Sequence, residues 1–255
     1  SDTLDKLLPS IPNAGKITIA HMLAHRSGIH DFVQEPDFRA WSLSPRTKDE
    51  TLAFIARGKP DFEPGEKRSY NNAAYVLLGY VVEKLDGNPY RQALKERITD
   101  KLALKDTYAG TGKTDVSKRE SFSYSYAGDW KQQEEMDLGF TGGAGSIIST
   151  PSDLVKFFQA LFDGKLISQE NVDQMMKNGM AMTEQKLGGK TIYGNQGGTD
   201  GFSSTVVYLP EEKLAVAYSA NAKVYSLGKI FSGIFDIYFN KPFEIPSFET
   251  VTKEQ

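Results

Sequence analysis

Apolar residues recur at the spacing of an α-helix in several stretches of the chain, and capping or helix-breaking residues bound most of these stretches. The clearest stretch covers residues 73–85 and is followed by Gly87, Asn88 and Pro89, which end a helix. A short helix is also predicted between Thr18, its N-cap, and Gly28. Further helices are predicted at residues 48–57, 90–102, 151–162, 172–176 and 227–238. Residues up to 12 are expected to be extended, and residues 31–46 and 105–140 to form loops and turns.

The last third of the chain changes to short β-prone runs at residues 191–193, 202–209 and 214–219. The segment from Pro210 to Lys213 joins the last two runs and has a length common in β-hairpins. The chain is therefore predicted to be an α+β protein, with an antiparallel sheet flanked by helices and an α-helical subdomain. We expect one domain over residues 1–255, mainly helical at 17–190, with strands and a closing helix at 191–240.

Composition narrows the classes of partner. A chain of 255 residues with 39% hydrophobic content is long enough to bury a large core. A formal charge of −3 provides no basic surface for nucleic acid, and no apolar run is long enough to predict a membrane span. The absence of cysteine excludes disulfides and thiolate chemistry. A small-molecule or peptide partner is the remaining expectation.

Three ordered motifs point to one kind of site. The first is Ile-Thr-Ile-Ala-His-Met-Leu-Ala-His-Arg-Ser-Gly-Ile at residues 17–29, and the second is Phe-Glu-Pro-Gly-Glu-Lys-Arg-Ser-Tyr-Asn-Asn at 62–72. The third is Gly-Gly-Ala-Gly-Ser at 142–146. From about Leu4 to about Tyr238 the chain resembles the serine β-lactamase-like family of penicillin-binding DD-peptidases, class C β-lactamases and related esterases. The resemblance implies an antiparallel sheet with helices on both faces and a site where the sheet meets the helical region.

The resemblance gives catalytic roles to Tyr70 and Asn72. In the family, the tyrosine of a Tyr-x-Asn motif hydrogen-bonds the nucleophile and shuttles a proton, while the asparagine binds the substrate carbonyl. Tyr70 and Asn72 match these positions. The alternative is that Tyr70 only caps the turn after Pro64-Gly65 and that Asn72 caps the following helix, where asparagine is favoured.

The resemblance also assigns a substrate-binding strand. Asn195, Gln196, Gly197 and Gly198 stand where the family has Lys-Thr-Gly or His-x-Gly. The backbone N–H of Gly198 is expected to complete the oxyanion hole. Asn195 can form hydrogen bonds but carries no positive charge. The alternative for these residues is a glycine-rich hairpin loop.

The family's Ser-x-x-Lys nucleophile motif does not occur before residues 17–29. The N-terminal strands and the nucleophile helix are therefore expected to lie outside this chain. Ser226 to Lys229 is a literal match, but it follows the strands and is interpreted as a coincidence that caps the last helix. We expect the intact protein to hydrolyse an amide, peptide or ester through an acyl-enzyme, and this chain alone not to do so, because half of the oxyanion hole belongs to the nucleophile's own N–H.

Three explanations of the missing nucleophile stay open. The chain is a fragment of a longer enzyme, its site is completed by another polypeptide or by self-association, or it is a non-catalytic module that binds peptide or glycan. Neither a metal nor a cofactor is expected, because His21 and His25 lack the glutamate of a His-Glu-x-x-His motif and match framework positions of the family. The sequence does not fix the compartment, although the resemblance fits a bacterial periplasmic or extracellular location.

Overall fold

The computed structural model describes residues 2–222 and 227–245. In this part of the chain the α-helices are α1 (Ile19–Leu23), α2 (Phe38–Ser42), α3 (Lys48–Ala56), α4 (Asn72–Asp86), α5 (Tyr90–Leu94), α6 (Asp100–Leu102), α7 (Gly142–Gly145), α8 (Pro151–Phe162), α9 (Gln169–Lys177) and α10 (Leu227–Tyr238). A π-helical turn, Lys95–Thr99, joins α5 to α6. Short 3-10 helices occur at Leu4–Lys6, Phe32–Gln34, Val116–Lys118 and Leu138–Phe140.

The main sheet is antiparallel, with strand order β5-β6-β7-β8. Its strands are β5 (Thr183–Leu187), β6 (Lys190–Thr199), β7 (Phe202–Leu209) and β8 (Leu214–Ala220). Two smaller antiparallel pairs join β1 (Tyr108–Ala109) to β4 (Ile147–Ile148) and β2 (Tyr124–Tyr126) to β3 (Trp130–Gln132). β5 pairs only with residues 190–194 of β6, so the remainder of β6 is open on that side.

Helices cover both faces of the main sheet. On one face, Val206 and Tyr208 of β7 pack with residues of α8 and α9. On the other face, Val207 and Leu209 pack with Phe231 and Phe235 of α10. The alternation along β7 follows from the two-residue period of a strand, which sends successive side chains to opposite faces. The predicted α+β class, with helices flanking an antiparallel sheet, is confirmed.

Helix α4 lies at the centre of the helical region. Asn71 caps its start by accepting a hydrogen bond from the Ala74 backbone at 2.7 Å, and Gly87 ends it with a left-handed conformation. Val76 and Leu77 are fully buried in a core that also contains the N-terminal segment. Gly79 permits close contact with α7, because a Cβ at that position would lie 2.8 Å from the Gly143 backbone nitrogen.

Most predicted helices and strands are present. The helices expected at 48–57, 73–85, 90–102, 151–162 and 227–238 are found within one residue of their predicted ends, with a π-helical turn inside the third. Thr150 caps α8 by accepting a hydrogen bond from the Asp153 backbone N–H. The strand at 202–209 and the turn at 210–213 are confirmed. The proposed cap at Ser226 lies outside the described residues.

Several local predictions are wrong. The first helix ends at Leu23, and not near Gly28, because His25 adopts a left-handed conformation with φ of 56°. Residues 31–46 contain a 3-10 turn and α2, where loop was expected, and the N-terminal segment forms a 3-10 turn at Leu4–Lys6, where an extended chain was expected. The main sheet begins at Thr183, inside the region predicted to be mainly helical, and β6 extends to Thr199.

Candidate active site

Tyr70 and Asn72 lie side by side at the start of α4. The Tyr70 hydroxyl donates a hydrogen bond to the Asn72 side-chain oxygen at 3.3 Å. Asn71, and not Asn72, is the residue that caps the helix. The structure therefore contradicts the capping alternative for Asn72.

Asp31 holds Asn72 in place. Its buried carboxylate accepts hydrogen bonds from the Asn72 side-chain amide at 2.8 Å, the Asn72 backbone N–H at 3.1 Å and the Ala73 backbone N–H at 3.2 Å. A negative charge at the first turn of a helix is also favoured by the helix dipole. The Asn72 amide is thus oriented so that its nitrogen faces Asp31 and its oxygen faces Tyr70.

His25 packs between the rings of Tyr70 and Tyr75, with centroid distances of 4.7 and 4.8 Å. Its Nδ1 accepts a hydrogen bond from the Asn71 backbone at 3.2 Å. Burial, and next the positive charge of Arg68, lower the pKa of His25 to about 4. His25 is therefore neutral at pH 7 and serves as a hydrogen-bond acceptor that positions the Tyr-x-Asn segment.

The pKa of the Tyr70 hydroxyl is raised, first by partial loss of water around it and then by the negative charge of Asp31. Burial likewise raises the pKa of Tyr75 to about 12. Both phenols are therefore protonated at neutral pH. Tyr70 as a whole residue is 62% exposed, so solvent still reaches part of it.

The predicted substrate strand is the open end of β6. Asn195, Gln196, Gly197 and Gly198 are all exposed and pair with residues 203–206 of β7. The Asn195 side chain donates to the Ala181 carbonyl at 3.3 Å and accepts from the Gln196 backbone N–H at 2.9 Å. Both ends of the Asn195 amide are thus used in holding the strand.

The strand and the Tyr-x-Asn segment are joined through the backbone. The Leu23 carbonyl accepts hydrogen bonds from the Tyr75 hydroxyl at 2.9 Å and from the Ala181 N–H at 3.2 Å, and the Ala181 carbonyl binds Asn195. Within the described residues, no hydrogen bond connects Tyr70 or Asn72 directly to residues 195–198. The structure therefore brings Tyr70 and Asn72 together and links Asn195 to them only indirectly.

A family model described as Beta-lactamase matches residues 1–228. The chain belongs to the beta-lactamase family. The resemblance stated from the motifs at residues 17–29, 62–72 and 142–146 is thus confirmed. The expected β-lactamase/transpeptidase fold is also confirmed by solved structures.

Two of these structures share more than a quarter of their residues with the chain. A D-stereospecific amidohydrolase from Streptomyces sp. superposes with a TM-score of 0.79 at 27% identity, over 87% of this chain and 74% of that one. D-amino acid amidase from Ochrobactrum anthropi SV3, in complex with L-phenylalanine amide, superposes with a TM-score of 0.77 at 29% identity, over 87% and 69%.

Among curated proteins, the candidate penicillin-binding protein PbpX of Bacillus subtilis (strain 168) is 32% identical over 72% of this chain and 45% of its own length. The chain spans about half the length of the curated relatives it matches, 45% of this one and 60% of a second. These two relatives are therefore longer than the part that matches this chain.

Three residues of the candidate site are not indicated by the sequence patterns. Asp31 lies in a segment without helical periodicity, and Asn71, the cap of α4, stands beside the Asn72 of the Tyr-x-Asn motif. Arg68 is exposed and forms no ion pair in residues 2–222 and 227–245, yet its charge reaches His25. The asparagine pair Asn71-Asn72 before an apolar helix is the one local pattern that indicates a cap and a separate site residue.

The two histidines of the first motif contact backbone groups. His21 completes a capping box with Thr18, accepting the Thr18 backbone N–H at 3.3 Å, while His25 accepts that of Asn71. These contacts agree with the framework role expected for both.

In the described residues no helix is long and apolar enough to cross a membrane.

Proposed function

We propose that this chain carries most of the site of a serine hydrolase that cleaves an amide or peptide bond through an acyl-enzyme. The observation that supports this most directly is the Tyr70–Asn72 pair, which Asp31 orients while Asn71 caps the helix. Asn71 and Asp31 together accept the first backbone N–H groups of the helix, so the Asn72 side chain has no capping task. In this proposal Tyr70 relays a proton and Asn72 orients the substrate carbonyl.

Gly198 is proposed as the oxyanion donor on β6. The Gln196 N–H donates to the side chain of Asn195, so it does not bond to β7. Because N–H groups alternate in direction along an antiparallel strand, the N–H of Gly198 points to the same open side as that of Gln196. A backbone N–H at an exposed strand edge, with no side chain beside it, is suited to bind a developing oxyanion.

The protonation state of Tyr70 limits what this chain does alone. A phenol with a raised pKa stays protonated at neutral pH, so Tyr70 donates a hydrogen bond and does not abstract a proton. A nearby ammonium group would lower that pKa, and the family's Ser-x-x-Lys motif supplies both such a group and the nucleophile. We propose that the 255 residues by themselves do not form an acyl-enzyme.

We propose a D-amino-acid amide or a short D-configured peptide as the substrate class. Two structural neighbours are a D-stereospecific amidohydrolase and a D-amino acid amidase. Asn195 is uncharged and already bonded at both ends, so it provides no cation for a substrate carboxylate. A substrate that carries no carboxylate near its scissile amide, and releases ammonia or an amine from it, suits this strand better than a carboxylate-bearing β-lactam.

A serine-acylating probe tests the proposal. Purified protein is treated with a fluorophosphonate, and its intact mass is measured under denaturing conditions. We expect no adduct on the 28.3 kDa chain and an adduct on the polypeptide that carries the Ser-x-x-Lys segment. Changing Tyr70→Phe should abolish labelling of that assembled protein, whereas Tyr126→Phe, a change on the β2–β3 hairpin, should not. An adduct on this chain, for example at Ser226, would overturn the proposal.

A non-catalytic binding module is the second candidate, favoured by the lack of a positive charge at Asn195. It predicts saturable binding of a D-amino-acid amide or a peptidoglycan peptide by calorimetry with no adduct on any polypeptide. A natural sequence with a Ser-x-x-Lys motif before residues 17–29 would exclude it. Self-association, the other proposed way to complete the site, would appear as a dimer or larger assembly in light scattering.

A further inference from the structure

Asp200 lies in the two-residue turn between β6 and β7, two residues after Gly198. Its side chain is only 5% exposed, and its backbone is left-handed with φ of 49°. One carboxylate oxygen accepts a hydrogen bond from Arg39 Nη1 at 2.7 Å, and the other accepts one from the Met136 backbone N–H at 3.0 Å. A buried carboxylate loses hydration free energy. The hydrogen bonds from these partners must compensate for that loss and for the backbone strain of the turn.

Arg39 connects this turn to the helical region. It belongs to α2, and its second terminal nitrogen donates to the Glu134 carbonyl. Asp200 and Arg39 therefore tie together three segments: α2, residues 134–136 and the β6–β7 turn. Arg39 lies on α2 and Asp200 lies in the β6–β7 turn. The ion pair therefore connects the helical region to the main sheet, across 161 residues of sequence.

The turn is also held from its other side. A Cβ on Gly201 would lie 2.6 Å from the Tyr124 carbonyl oxygen and 2.8 Å from the Tyr124 nitrogen, so β2 packs directly on the turn. Gly197 and Gly198, by contrast, are exposed and bring no side chain to fix the strand. The nearest side-chain anchor after Gly198 is the carboxylate of Asp200.

We propose that the Arg39–Asp200 ion pair is a positioning device that fixes the direction of the Gly198 N–H. The inference rests on the proposed function for its catalytic meaning, because Gly198 is the oxyanion donor there. Arg39 and Asp200 touch no substrate and act through the β6–β7 turn. The competing explanation is a structural ion pair that raises the free energy of unfolding without ordering Gly198.

Backbone dynamics distinguish the two roles in the chain as it stands. We expect ¹⁵N order parameters at residues 197–201 of about 0.85 in the unchanged protein, falling below about 0.6 in Arg39→Gln and Asp200→Asn. Arg97→Gln is the matched control, because Arg97 pairs with Asp86, another carboxylate that is only 9% exposed. In the described part of the chain the side chains of Arg97 and Asp86 hydrogen-bond only to each other, so this control should leave residues 197–201 rigid.

Kinetics with the nucleophile-bearing protein give the second readout. Arg39→Gln should lower kcat at least about 10-fold with KM nearly unchanged, because an oxyanion donor acts in the transition state. Arg39→Lys should recover part of kcat and of the order at residue 198. Unchanged order parameters in Arg39→Gln would overturn the positioning role. Loss of order with no hydrolysis in any variant would keep the positioning role and refute the proposed function.

Discussion

Replacing Asp31 tests how the start of α4 is held. The carboxylate receives three donors, of which only the Ala73 N–H belongs to a fully buried residue, while Asn72 is half-buried. In Asp31→Ala all three donors lose their acceptor, and water can reach those of Asn72. A buried unsatisfied donor costs about 1–3 kcal/mol, so we expect Asp31→Ala to lower the free energy of unfolding by about 2–4 kcal/mol.

Asp31→Asn should be milder. Its single carboxamide oxygen can occupy the place of Oδ2 and keep both Asn72 bonds, while its nitrogen then faces the Ala73 N–H. The buried Ala73 N–H is left without an acceptor and faces another donor, for a loss of about 1–2 kcal/mol. The charge is also removed, so the pKa of Tyr70 should fall, since Asp31 is one cause of its elevation.

Urea unfolding followed by circular dichroism measures both losses, and ultraviolet titration follows the tyrosine pKa. Asp37→Asn is the control, because Asp37 pairs with Arg57 at the surface and its change should stay within about 0.5 kcal/mol. The hydrogen-bond reasoning would be refuted if Asp31→Asn destabilised the protein as much as Asp31→Ala. It would also be refuted if both variants unfolded at the same urea concentration as the unchanged protein.

Three further predictions follow from the same region. The pKa of His25 is lowered in the folded state to about 4 from an ordinary 6.5, so its stabilising contribution is complete above pH 6.5 and is lost as pH falls toward 4; urea midpoints across this range should fall in the unchanged protein and fall less in His25→Gln. Arg68→Gln should raise the pKa of His25, measured by NMR titration of its ring protons, and an unchanged value would show that burial alone sets it. Gly79→Ala should lower the free energy of unfolding by about 1–3 kcal/mol, because the added Cβ would meet the Gly143 nitrogen at 2.8 Å, whereas Gly233→Ala, whose Cβ would meet nothing within 4 Å, should not.

The helices that local sequence predicted well carry their own start and stop residues. α4 has a cap at Asn71 and a left-handed glycine after its end, and α8 has Thr150 followed by proline. Such elements are specified within a few neighbouring residues, so periodicity and capping suffice to find them. α2 and β5 were missed because α2 has only five residues and the side chains of β5 are polar and mostly exposed. Their conformation depends on packing and pairing with distant segments.

The sequence by itself determined the family and the candidate residues, because the ordered motifs around Tyr70, Asn72 and residues 195–198 are local strings of amino acids. Only the tertiary structure decided which groups orient them. Asp31 binds Asn72 across 41 residues, and Arg39 binds Asp200 across 161. Contacts over such separations leave no periodicity in the chain, since they arise when packed elements bring buried carboxylates to donors that would otherwise be unsatisfied.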